Sequence, residues 1–231
     1  MSARSLLLIR HGQASFSADE YDRLSPLGEE QSRRLGAWLA ACGSTPDLIA
    51  IGPRERHRRT AELCLEAAGI DREPLMLDGL DEVDHHDLLA RLRPDLNGSG
   101  ALRAELKQTP DPHRAFHHLF ADAIARWVDG AHDAEYQLTW PTFRGNVMHA
   151  LQTLTEHPAR TTWAFTSGGP IAVVANALLD APLAQAFKLS WPLVNTGLTR
   201  LRLGQRGATL ITYNAWPHLE HANGHHLVTL R

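Results

Sequence analysis

Short apolar runs that alternate with helix-like segments constrain the fold of this chain more than any other feature. Residues 5–9 (Ser-Leu-Leu-Leu-Ile) are typical of a strand that is buried on both faces. A helix is predicted from Pro26, with Ser25 as its N-cap and Gly43 as its stop. A strand at 47–52 precedes a helix at 56–68, and a strand at 161–166 runs into Ser-Gly-Gly-Pro at 167–170 and then a helix through Leu179. A hairpin is predicted over 198–213. This order predicts an α/β fold of three layers, α/β/α, with a mostly parallel sheet.

The middle of the chain follows another pattern. No strand is predicted between 83 and 138, and Gly- and Pro-containing breakers stand at 97–100 and 109–112. Between 114 and 129 the apolar residues, Phe120 and Trp127 among them, recur on one helical stripe and are expected to pack in a core. We therefore expect a single domain over residues 1–231, with a helical insertion at about 83–138.

Charge and hydropathy exclude several classes of protein. The net charge of −3 lacks the basic excess of a general nucleic-acid binder. The apolar runs are too short for a signal-peptide core or a membrane span, and both cysteines fall in helix-like segments. The sequence thus predicts a cytoplasmic protein with neither a nucleic-acid nor a membrane partner.

Polar residues follow three of the predicted parallel strands. Arg10 and His11 follow the first, Arg56 lies just beyond the second, and a Ser-Gly-Gly segment at 167–169 follows the third. Ligands of open parallel sheets bind at the carboxyl ends of the strands. Guanidinium groups match phosphate oxygens, and a helix N-terminus adds N–H donors. The sequence therefore predicts an anion site, while the neighbouring Arg54, Arg58 and Arg59 are expected to form a charged surface.

Residues 7–13 (Leu-Leu-Ile-Arg-His-Gly-Gln) resemble the signature of the histidine phosphatase superfamily, which includes cofactor-dependent phosphoglycerate mutases. Further segments resemble the family in the same order: 24–31, 52–61, an acidic motif at 80–82, Asn195, and 214–219. Together they span most of the chain except the helical insertion. The resemblance implies a phosphoglycerate mutase-like fold.

The resemblance also implies a role for each matching residue. His11 would be the nucleophile and form a phosphohistidine, and Glu82 would protonate the leaving alkoxide and then activate water. Positive charge on the phosphoryl oxygens would come from Arg10 and Arg56. The implied substrate-binding residues are Ser17, Ser167 and Gly168. No metal or cofactor is implied, and the partner would be a small phosphomonoester.

One position departs from the family pattern. The second histidine of the family stands before two glycines, and Ser167 occupies its place here. Serine donates a neutral hydrogen bond but supplies no positive charge, a deficit that could reach roughly 3 kcal/mol. His57 and His218 are the candidates for a second histidine from elsewhere. Capping of the following helix and phosphate contact are equal expectations for Ser167, and its hydroxyl could do both.

Three functions stay open at this point. We expect a metal-independent phosphomonoester hydrolase, because the insertion offers no clear set of residues for a substrate carboxylate. The alternatives are phosphoglycerate mutase-type transfer, which needs a site that excludes water, and a catalytically weak phosphate-binding pseudoenzyme. A nucleophile and a proton donor serve no purpose in a binding module, which favours an enzyme.

Overall fold

A mixed six-stranded sheet organises the residues that the computed structural model describes, which are 4–15, 22–96, 99–220 and 224–230. The strands are β1 (Arg4–Arg10), β2 (Leu48–Ile51), β3 (Leu75–Met76), β4 (Thr161–Thr166), β5 (Leu198–Gly204) and β6 (Gly207–Ala215). Their order in the sheet is β3-β2-β4-β1-β5-β6. The first four positions are parallel, with Leu8 of β1 opposite Ala164 of β4. Strands β5 and β6 form the predicted hairpin and pair antiparallel.

Eight α-helices accompany the sheet within the described residues. They are α1 (Pro26–Ala41), α2 (Glu55–Ala68), α3 (His85–Leu92), α4 (Ser99–Lys107), α5 (Pro112–Asp129), α6 (Trp140–Glu156), α7 (Gly168–Leu178) and α8 (Pro217–Glu220). The predicted α/β class is confirmed. Throughout the described ranges, every helix is too short or too polar to span a membrane.

The ends of two helices follow from single residues. The Ser25 hydroxyl accepts the Gly28 N–H at 3.1 Å and caps α1, and Pro26 is the first helical residue, as predicted. Helix α2 ends at Gly69, whose φ of 68° lies in the left-handed region that glycine adopts without a steric penalty. These boundaries could be predicted because their residue types act locally.

Helices cover both faces of the parallel part of the sheet. Because successive side chains of a strand point to opposite faces, β1 contributes to two packing layers. Leu7 and Ile9 pack in a buried cluster with α1 and α2, whereas Leu8 lies in a group with residues of α6 and α7. This arrangement places the carboxyl ends of β1, β2 and β4 side by side between the two helical layers.

The chain divides into two compact units. One comprises Met1–Glu82 with Asn146–Arg231 and contains the sheet, and the other is Val83–Gly145. The second unit is helical in its described residues, and Trp127 of α5 is fully buried there, 5.4 Å from Trp140 and 5.5 Å from Phe143 between ring centroids. The unit extends about seven residues beyond the predicted insertion, because α6 begins in it. That the whole chain is one domain stays a prediction.

Candidate active site

The loop after β1 is fixed by backbone hydrogen bonds. The His11 N–H donates to the Thr166 carbonyl oxygen at 2.9 Å, and the Gly12 N–H donates to Thr60 Oγ1 at 3.0 Å. A Cβ at position 12 would lie 2.4 Å from the Gly28 carbonyl oxygen. Only glycine therefore lets this loop lie against the start of α1, which explains the glycine after His11.

The His11 ring carries its proton on Nδ1. That nitrogen lies 2.7 Å from the Gly12 carbonyl oxygen, which can only accept, so Nδ1 is the donor. Burial, the charges of Arg56 and Arg10 and the neighbouring His57 lower the pKa of His11 well below its usual value. The ring is therefore neutral near pH 7, and Nε2 holds a lone pair.

Both predicted arginines lie near His11, and the positive charge of each lowers the pKa of His11. Arg10 donates from one terminal nitrogen to the Leu193 carbonyl oxygen and, at 2.8 Å, to that of Leu230. Arg56 is only 2% exposed, and its guanidinium donates to Asp22 Oδ1 at 3.1 Å.

Asp22 was not predicted from the sequence. Its other carboxylate oxygen accepts the Glu55 N–H at 2.9 Å, which satisfies a free donor in the first turn of α2. Asp22 thus fixes the helix that carries Arg56. No periodicity or motif links position 22 to α2, so the sequence holds no signal for this contact.

Hydrogen bonds to both its side chain and its backbone hold Glu82 at the start of α7. Its Oε2 accepts the Gly169 N–H at 2.9 Å, and a Cβ at position 169 would lie 2.1 Å from Oε1. Arg54 donates to Asp81 Oδ1 at 2.5 Å and to the Glu82 carbonyl oxygen at 2.7 Å. The placement of Arg54 on a charged surface was therefore wrong: it precedes the first turn of α2, and its hydrogen bonds to Asp81 and Glu82 anchor the acidic loop.

The rest of that basic run is a solvated surface, as predicted. Arg58 and Arg59 are about half exposed and form ion pairs with Glu55, Glu62 and Glu29. Such exposed pairs contribute at most about 1 kcal/mol each.

Ser167 occupies the N-cap position of α7, but its hydroxyl makes no capping hydrogen bond. The capping alternative for this side chain was therefore wrong. The hydroxyl instead lies 2.7 Å from His57 Nε2. Gly168 is the first residue of α7, and a Cβ there would meet its nearest neighbour, Ser190, at 3.6 Å. Ser17 lies outside the described residues.

The two candidate second histidines differ in how they contact the His11 loop. The His57 ring is 5.7 Å from the His11 ring between centroids. His218 is hydrogen-bonded to Thr196 Oγ1 at 2.8 Å and packs against Trp38. Thr196 links it to the loop, because the Thr196 N–H donates to the His11 carbonyl oxygen. Burial lowers the pKa of His218 to about 3.

A segment at 227–230 is hydrogen-bonded to Arg10 and to Gln31 of α1. Besides the Leu230 oxygen that accepts from Arg10, the Leu227 carbonyl oxygen and Thr229 Oγ1 accept from Gln31 Nε2 at 2.7 and 2.8 Å. The Gln31 side-chain oxygen in turn accepts the Gln13 N–H at 2.9 Å. One network therefore joins this segment, α1 and the His11 loop.

His11, the two arginines and Glu82 thus share one end of the sheet, in an arrangement suited to phosphoryl transfer. A model of the histidine phosphatase superfamily (branch 1) matches residues 6–215. The chain belongs to this superfamily. Among the described residues, no three His, Cys, Asp or Glu side chains are grouped as ligands of a metal ion would be.

Curated members of the superfamily match only part of the chain. A 2,3-bisphosphoglycerate-dependent phosphoglycerate mutase of Thermobifida fusca is 38% identical over 78 residues, which cover 31% of this chain and 31% of the relative. A protein of the same description from Azorhizobium caulinodans is 35% identical over 92 residues, 37% of this chain and 45% of the relative. The chain therefore spans less than half the length of these relatives.

Solved structures from the superfamily match nearly the whole chain at low identity. A mutant phosphoserine phosphatase of Entamoeba histolytica, in complex with phosphoserine, has a TM-score of 0.61 and 19% identity. The match covers 93% of this chain and 98% of that chain. A phosphoglycerate mutase of Bacillus anthracis has a TM-score of 0.63 and 14% identity, over 94% and 95% of the two chains. The predicted phosphoglycerate mutase-like fold is confirmed.

Proposed function

We propose that this chain hydrolyses small phosphomonoesters through a phosphohistidine on His11, without a metal ion. The observation that carries the proposal is the state of the His11 ring. Its Nδ1 donates to the Gly12 carbonyl oxygen, its pKa is lowered, and its Nε2 is left as a neutral nucleophile beside two arginines.

The first step transfers the phosphoryl group to the enzyme. Arg10 and Arg56 bind the non-bridging oxygens and offset their charge, and Nε2 of His11 attacks phosphorus. The bond to the ester oxygen breaks, and its electron pair leaves with the alkoxide. Glu82 gives that oxygen a proton. Its carboxyl group suits this role because the Gly169 N–H and the Arg54-anchored loop fix its position.

The second step returns His11 to its starting state. The Glu82 carboxylate takes a proton from water, and the water oxygen attacks the phosphorus of the phosphohistidine. The N–P bond breaks, its electron pair returns to Nε2, and inorganic phosphate leaves. Nucleophile, positive charge and proton donor all come from the chain, so activity in EDTA is part of the proposal.

A mutase is the second candidate, because the curated relatives are described as phosphoglycerate mutases. The same phosphohistidine would then pass its phosphoryl group to a hydroxyl of a phosphoglycerate instead of water. Conversion of 3-phosphoglycerate in the presence of 2,3-bisphosphoglycerate, faster than its hydrolysis, would favour the mutase.

The predicted cytoplasmic location stays a prediction.

The experiment measures p-nitrophenyl phosphate hydrolysis with and without EDTA. We expect EDTA-resistant turnover by the wild type and none above background by His11→Ala. His149→Ala is the matched control, because His149 is an exposed histidine of α6 away from the site. Full activity of His11→Ala would refute the nucleophile. A wild type that binds orthovanadate but does not turn over would support the phosphate-binding pseudoenzyme instead.

A further inference from the structure

His57 and Ser167 form a buried pair that the proposed mechanism does not use. Both side chains are fully buried, and His57 Nε2 lies 2.7 Å from Ser167 Oγ. The His57 ring is also tilted by 43° against the nearby His11 ring. The pair therefore connects α2, the start of α7 and the nucleophile.

Gly52 provides the space for His57. A Cβ at position 52 would lie 2.4 Å from His57 Nδ1 and 2.5 Å from the Leu80 carbonyl oxygen. Any side chain at position 52 would therefore displace the imidazole or the loop that leads to Glu82. Glycine at 52 therefore leaves room for the His57 ring, whose other nitrogen contacts Ser167.

The orientation of the pair suits a hydrogen bond to an anion. A hydroxyl donates one hydrogen bond and accepts others. The 2.7 Å contact fits either direction of donation, and we take the tautomer of His57 with its proton on Nε2. In that tautomer the ring donates to Ser167 Oγ and leaves the hydroxyl proton for a phosphoryl oxygen. Burial and the charges of Arg56 and Arg54 lower the pKa of His57 well below its usual value, against a backbone hydrogen bond with Gly52 that raises it, so the ring is neutral near pH 7.

We propose that His57 is a positioning residue that orients the Ser167 hydroxyl toward the phosphoryl group and thereby supplies, from α2, the imidazole that the resemblance places at position 167. This inference rests on the proposed function. It explains why Ser167 does not cap α7, because its hydroxyl is held by His57. His57 acts through its contact with Ser167, which is why its role is positioning rather than catalytic.

The test relocates the imidazole. The variants are His57→Ala, Ser167→Ala, the double alanine variant, and His57→Ala combined with Ser167→His. The readouts are kcat/KM for p-nitrophenyl phosphate and the Kd for orthovanadate. We expect each single alanine substitution to lower kcat/KM and vanadate affinity about 10- to 100-fold, and the double alanine variant to lose no more than either. The relocated imidazole should recover most of the loss, which a merely structural role of His57 would not allow.

His57→Gln keeps the test decisive if His57→Ala does not fold, since an amide N–H can still donate to Ser167 Oγ. It should retain activity within about fivefold, whereas His57→Leu should not. The inference is overturned if folded His57→Ala stays within twofold of the wild type in both readouts. It is also overturned if the two single losses multiply in the double alanine variant, or if the relocated imidazole recovers nothing. Vanadate binding separates the two proposals, because it reports on the pair even if the wild type does not hydrolyse the ester.

Discussion

Replacing Thr60 by valine would remove the support beneath the His11 loop. Thr60 is fully buried, accepts the Gly12 N–H at 3.0 Å and donates to the Arg56 carbonyl oxygen at 2.7 Å. Valine has nearly the same shape but no hydroxyl. The Arg56 carbonyl keeps its place in the hydrogen bonding of α2, so only the Gly12 N–H loses its partner.

The size of the effect follows from that one donor. A buried N–H without a partner costs about 1–3 kcal/mol. In a chain of this length, such a loss lowers Tm by about 2–4 °C for each kcal/mol. If the loop relaxes to reach another acceptor, His11 Nε2 moves as well. A shift approaching 1 Å lowers kcat/KM by about 100-fold, so we expect a decrease of at least about 10-fold.

Thr60→Ser is the matched control. It keeps the hydroxyl and loses a buried methyl group, which costs about 1 kcal/mol in stability. Urea unfolding should therefore show a loss for both variants, whereas p-nitrophenyl phosphate hydrolysis should drop only for Thr60→Val. The reasoning is wrong if Thr60→Val keeps kcat/KM within twofold of the wild type, or if both variants lose activity equally.

Three further outcomes are expected. Glu82→Gln should slow hydrolysis of an alkyl phosphate at least about 10-fold more than that of p-nitrophenyl phosphate, because only the poor leaving group needs a proton; equal losses would contradict the acid role. Gly169→Ala should lower kcat on alkyl phosphates, because its Cβ would lie 2.1 Å from a Glu82 oxygen; an unchanged kcat would count against that contact. The pKa of His218 is about 3 in the folded chain and about 6.5 when unfolded. At pH 5 only the unfolded state binds this proton, so the free energy of unfolding decreases as the pH is lowered from 7.5 to about 5.0. Urea unfolding measures the free energy of unfolding at both pH values. Its decrease from pH 7.5 to pH 5.0 should be about 2 kcal/mol smaller for His218→Gln than for the wild type, and equal decreases would refute this assignment.

Local signals predicted most strands of the sheet unit and its helices α1, α2 and α7, but not α6 or α8. Continuous apolar runs mark β1 and β4, and Ser25 and Gly69 set helix ends through their own backbone and side-chain chemistry. Strand β3 was missed. It has two residues, Leu75 and Met76, and both are exposed, so neither a run nor an alternation reveals it.

The candidate site was predictable only for residues whose place at a strand end or on a helix indicates their role. Strand ends gave His11 and Arg10, and the two-residue spacing on a helix separated Arg56 from the exposed Arg58. Thr60 could have been found, since it lies one helical turn after Arg56. The bond between His57 and Ser167 could not, because 110 residues separate them and no periodicity spans that distance.

The segment at 227–230 gives the site an order of assembly. Arg10 and Leu230 are 220 residues apart in the chain, and Gln31 and Leu227 are 196 apart. The entropic cost of closing a loop grows with its length, by about 0.6 kcal/mol for each doubling, and contacts of long sequence separation slow folding. Strand β1 can pair with β4 before this segment arrives, but Arg10 gains the Leu230 carbonyl oxygen as an acceptor only afterwards. During refolding, the capacity to bind phosphate should therefore recover no earlier than the docking of this segment.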